Sequence, residues 1–112
     1  LGRLCLSGEI FDIPDENWQI TLEAIKLYGE ITPIIKDGYT RIIECTAEDY
    51  NDPTGYQIGL RELGDKALVI VHTFKDGANP PIDKYLDDYK IAKAFGSDLD
   101  GEFRGKAYLL EK

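Results

Sequence analysis

The chain has 112 residues, a length that suits one domain and buries roughly two-thirds of its unfolded surface. Hydrophobic residues make up 43% and charged residues 30%, which argues against disorder. Twenty-one acids against 13 bases give a net charge of −8, which repels phosphate backbones and anionic headgroups and so argues against nucleic acid or membrane partners.

In chain order, Arg3-Leu4-Cys5-Leu6 continuing through Glu9-Ile10-Phe11 reads as a first strand, with Gly8 marking a bulge or bend. Asp12-Ile13-Pro14-Asp15-Glu16 then carries helix-start chemistry: a capping Asp12, Pro14 in the first turn and carboxylates near the positive end of the dipole. Trp18, Leu22, Ile25 and Tyr28 keep helical spacing and Gly29 reads as a stop, so a helix is expected over about residues 14–28.

Ile31 to Cys45 reads as a hairpin turning at Asp37-Gly38, because Asp-Gly suits the positive φ values of a type I′ turn. Pro33, with no N–H for a ladder, places the incoming strand at an edge or bulge. Glu44 to Gly55 is polar, broken by Pro53 and Gly55, and reads as a loop.

Tyr56 to Leu63 and Lys66 to Phe74 read as a second hairpin with Gly64 first in a type II′ turn. That register sets Ile58 against Val71, Leu60 against Val69 and Gln57 against His72. Tyr56, Leu60 and Leu63 also keep helical spacing, but Gly59 weakens a helix there. The run from Lys66 to Phe74 is the only long one that is apolar at consecutive positions. Ala67, Val69 and Val71 face one way and Leu68, Ile70, His72 and Phe74 the other, so it belongs mid-sheet with cover on both faces.

After Asn79-Pro80-Pro81, the stripe Ile82, Tyr85, Leu86, Tyr89, Ala92 and Phe95 predicts a second helix ending at Gly96. Glu102 to Leu110 closes the chain as a strand with Phe103, Ala107 and Leu109 on one side. The order β-α-β-β-β-β-α-β predicts a single α+β domain: a mainly antiparallel, twisted sheet with two helices packed on it, of a kind able to curl into a half-barrel.

His72, the only histidine, is the one candidate general base, and a small hydrolase or isomerase using it with Glu62 or Glu44 is the enzymatic alternative. The alternative role for His72 is structural, held by Gln57. Trp18, Tyr85, Tyr89, His72 and Gln57 are the candidate ligand-binding residues, since aromatic walls with a few convergent polar groups are what a small-molecule pocket needs.

No metal site or cofactor is expected. Asp98-Leu99-Asp100-Gly101-Glu102 lacks the spacing of a calcium loop, and Glu44, Glu48, Asp49 and Asp52 read as a solvated acidic loop. Ser7 lacks a nucleophile elbow, and Cys5 and Cys45 read as reduced core residues. No phosphate-binding loop, dinucleotide fingerprint or paired-cysteine motif is present.

The expectation is a cytoplasmic, non-catalytic binding module that takes a small neutral or cationic molecule or a basic protein surface. Homodimerisation through an edge near Pro33 or the final strand is a further option.

Overall fold

The computed structural model describes residues 14–46 and 51–112. The expected first strand with Gly8 and Cys5, Ser7, the capping Asp12, and Glu48 and Asp49 of the acidic loop all lie outside the described residues. The chain folds as an α+β domain with helix α1 (Asp15–Asp37), strands β1 (Tyr39–Cys45), β2 (Tyr56–Leu63) and β3 (Lys66–Thr73), a one-turn helix α2 (Asp83–Leu86), and strands β4 (Lys90–Gly96) and β5 (Gly105–Glu111). The five strands form one antiparallel sheet in the order β1-β2-β3-β5-β4. It is open, with β1 and β4 at its edges among the described residues.

The apolar run expected mid-sheet is the central strand, β3, and its two faces part as the alternation requires. Ala67, Val69 and Val71 join Ile58, Leu60, Tyr108 and Leu110 on one face, covered by Ile82, Tyr85, Leu86, Tyr89 and Leu99. Leu68 joins Leu109 on the other, beneath Leu27, Ile31 and Ile34 of α1. The β2–β3 hairpin has the expected register, Ile58 to Val71, Leu60 to Val69 and Gln57 to His72, and Gly64 turns it with φ +58°.

The Ile31–Cys45 segment is not a hairpin: α1 runs through Gly29 and Pro33 to Asp37, and only residues 39–45 are a strand. The alternation of Ile31, Pro33 and Ile35 suits a strand, but Leu27, Ile31 and Ile34 also fall on one helical face. Burying that face against the sheet outweighs the roughly 1 kcal/mol cost of a helical glycine and the donor that Pro33 lacks. Gly38 is not in a type I′ turn, since its φ is −76°. It ends the helix by donating its N–H to the Ile34 carbonyl at 3.0 Å. A Cβ there would stand 2.4 Å from that oxygen and 2.6 Å from the Glu62 carbonyl oxygen, so close approach selects the glycine.

The expected second helix over 82–95 is also corrected. Only Asp83–Leu86 is helical, and Lys90–Gly96 is the edge strand β4 paired to β5. The stripe divides: Ile82, Tyr85, Leu86 and Tyr89 pack on one face of the sheet while Phe95 packs on the other. β5 offers a full row of ladder groups to a neighbour, and satisfying them favours a strand where the side-chain period alone favours a helix. Phe103 lies before β5, 68% exposed at φ +54°, while Ala107 and Leu109 take the expected face.

With 23 residues, α1 is roughly 35 Å long and overruns the eight-residue strands beneath it. Its buried residues are all in its second half. In the first half Ile20, Leu22 and Ile25 are exposed and Trp18 is half-buried. No helix among the described residues is long and apolar enough to cross a membrane.

Candidate functional site

Among the described residues, the α1 face of the sheet is covered only where the helix lies. Beyond the helix C-terminus it opens into a groove of about 200 Å³ lined by Thr40, Gln57, Gly59, Leu60, Arg61, Ile70 and His72. Apart from Leu60, which points to the opposite face, the pleat puts these side chains on one face: Thr40 pairs with Arg61 across β1 and β2, and Gln57 and Gly59 pair with His72 and Ile70 across β2 and β3. Gly59 leaves a gap in the strand, because a Cβ built there meets nothing within 4 Å.

Arg61 forms the wall between groove and helix. Its Nε donates to the Ile34 carbonyl at 2.9 Å, Nη2 to the Ile35 carbonyl at 2.9 Å and Nη1 to Thr40 Oγ1 at 3.1 Å. The last turn of a helix leaves its carbonyls without intrahelical donors and carries a partial negative charge, and a guanidinium meets both needs.

His72 and Gln57, two of the expected site residues, do come together here. Both are exposed, and neither side chain has a hydrogen-bond partner among the described residues. His72 does not lie under a covering layer as its strand position suggested. The flanking Gly105 also leaves its ring room, with a Cβ there 3.5 Å from His72 Cδ2.

Tyr85 and Tyr89 lie on the opposite face. Tyr85 donates its hydroxyl to Glu44, which also accepts from Tyr56 at 2.7 Å and pairs with Lys84 at 3.0 Å. These hydrogen bonds, led by that from Tyr85, hold the Glu44 carboxyl down at about 2 and push the Tyr56 and Tyr85 phenols and the Lys84 ammonium up. Tyr89 donates to Glu62 at 2.7 Å, and Glu62 also meets Arg41 at 3.1 Å. Burial, then the Glu62 hydrogen bond, raise the Tyr89 phenol to about 12. The two Tyr–Glu pairs thus fasten the 82–89 segment across β1 and β2.

Trp18 stands on the first turn of α1 and does not line the groove. Glu44 and Glu62 share the face of Ile58 and Leu60, so neither is placed to orient the His72 ring. Cys45, expected in the core, is exposed in edge strand β1. Its Cα stands opposite Gln57, two strand spacings or roughly 10 Å from His72, too far for a thiolate–imidazole pair.

Among the acids of the 98–102 turn, Asp98 meets Lys106 at 3.6 Å and Glu102 accepts from the Asp76 N–H at 2.7 Å. No three His, Cys, Asp or Glu residues converge as metal ligands among the described residues.

Thr40, Gly59, Arg61 and Ile70 are groove residues not singled out from the sequence. Gly59, mid-strand and without a bulge in its pairing, was the available signal, since such a glycine often marks the approach of a ligand or another backbone.

No family model, curated protein or solved structure matches the chain.

Proposed function

We propose that this protein is a non-catalytic binding module and that the groove beside the α1 C-terminus is its ligand site. The observation that carries this reading is the grouping of an apolar floor, Gly59 and Ile70, with the polar Thr40, Gln57, Arg61 and His72 in one recess that no other described residue covers. Of these, the Gln57 and His72 side chains have no hydrogen-bond partner among the described residues, and polar groups so placed at the rim of an apolar floor fix a ligand's orientation.

Catalysis by His72 is less well supported, because among the described residues no carboxylate lines the groove to orient the imidazole and no nucleophilic side chain pairs with it. At about 200 Å³ the groove is below the ~300–1,000 Å³ of most small-molecule pockets, so the occupant is a compact group. A basic partner, favoured by the net charge of −8, would engage the acidic remainder of the surface.

Thermal melting against a panel of small neutral, cationic and anionic compounds and one basic peptide tests the reading. A small compound that raises the midpoint, and does so less in His72→Ala, supports it. A shift from the peptide alone, or turnover abolished in a folded His72→Ala, contradicts it.

A further inference from the structure

Resting on that reading, we infer that the groove takes a small aliphatic carboxylate, held by the Arg61 guanidinium. Arginine has five N–H donors. Arg61 gives three to the Ile34 and Ile35 carbonyls and the Thr40 hydroxyl, leaving one N–H on each terminal nitrogen. It makes no ion pair with a carboxylate among the described residues. The helix end it caps carries about half a negative charge, which leaves the guanidinium with net positive character toward the groove.

The remaining lining reinforces that sign. The side chains of Gln57 and His72 each carry an N–H and have no hydrogen-bond partner among the described residues, and no described residue lining the groove is acidic. A carboxylate accepts several such donors at once, and hydrogen bonds to a charged acceptor are roughly twice as strong as neutral ones. An ammonium would meet the guanidinium as a like charge. The half-buried Ile70 and the bare backbone of Gly59 provide an apolar floor for a short tail. A recess of about 200 Å³ holds the volume of roughly six or seven waters, so the acid has only a few carbons. The acidic excess of the chain as a whole therefore does not set the charge preference of this site.

The test is a titration of the full, isotopically labelled chain with three compounds of one carbon skeleton: isovalerate, isovaleramide and isoamylamine. Backbone amide shifts are followed at Thr40, Gly59, Arg61 and Ile70. Isovalerate is expected to shift these amides with a Kd at least tenfold below that of isovaleramide, and isoamylamine to leave them unmoved. Gly59→Leu, whose side chain extends into open space, should remain folded and lose the isovalerate response. If the amide or the amine shifts these residues as tightly as the acid, the carboxylate assignment fails while the groove stands as a binding site. If none of the three moves them, both fail. An isovalerate response unchanged in Gly59→Leu places the acid elsewhere and overturns the inference.

Discussion

Arg61→Met tests the joint between helix and sheet on which the groove wall depends. Methionine keeps most of the aliphatic stem, so the change removes the guanidinium with little loss of packing. Three hydrogen bonds disappear, but not equally. The Ile34 carbonyl keeps the Gly38 N–H at 3.0 Å, and Thr40 is exposed and regains water, whereas the half-buried Ile35 carbonyl loses its donor. Hydrogen bonds with a charged partner contribute ~1.5–3 kcal/mol each, so one full loss and two partial ones give ~2–4 kcal/mol. At roughly 4 °C per kcal/mol for a domain of this size, the melting midpoint falls by ~8–16 °C. Arg61→Lys, able to reach one carbonyl but not to span two, should recover about half of that. Urea unfolding followed by circular dichroism measures both. A loss below ~0.5 kcal/mol for Arg61→Met, or Arg61→Lys as stable as the unmodified chain, would show that the guanidinium does not hold α1 to the sheet.

Other consequences are equally direct. The folded-state pKa of Glu44 is depressed to about 2 from an ordinary 4.5, so its stabilisation is complete above the unfolded value and is lost as pH falls through that window. Melting scans between pH 5 and pH 2 should show a shallower decline in Glu44→Gln, and an unchanged slope would refute the assignment. The Tyr89 phenol, raised from 10 to about 12, has the opposite sign: its contribution is complete below 10 and is lost as pH rises toward 12. An ultraviolet titration of Tyr89→Phe should therefore lack one phenol that ionises near 12 in the unmodified chain, whereas a profile that keeps it contradicts the pairing with Glu62. Gly29→Ala should stabilise by ~0.5–1 kcal/mol, because the site is helical and open, while Gly38→Ala should destabilise because its Cβ would meet two backbone oxygens. Opposite signs in urea midpoints are the expected result, and equal signs would contradict the helix boundary.

The sequence was most legible where local pattern and tertiary need agree. The β2–β3 hairpin illustrates this: consecutive apolar positions demand cover on both faces, and Gly64 supplies the left-handed turn, so register and burial follow together. It was least legible where one pattern suits two periods. Ile31, Ile34 and Ile35 fit both a strand and a helix, and the sheet face beneath them decides. Ile82 to Phe95 forms an apparent helical stripe, yet Phe95 and Tyr89 end on opposite faces because β5 requires a ladder partner.

Of the candidate site, Gln57 and His72 were visible because the hairpin register places them side by side. Arg61 was not, because its role depends on the C-terminus of a helix 26 to 27 residues away in sequence. The tyrosines suggested a pocket by composition, but their hydroxyls bond to Glu44 and Glu62, contacts that only the folded 82–89 segment creates.

Whether a ligand sits in the groove beside the α1 C-terminus is decided by one paired melting experiment. The strongest small-molecule stabiliser of the unmodified chain is added, at about a hundred times its Kd, to that chain and to Gly59→Leu. Binding at that excess contributes ~2.7 kcal/mol, a shift of several degrees. That shift is expected in the unmodified chain and not in Gly59→Leu, whose own midpoint without ligand is not lowered. An equal shift in both proteins would contradict binding in the groove.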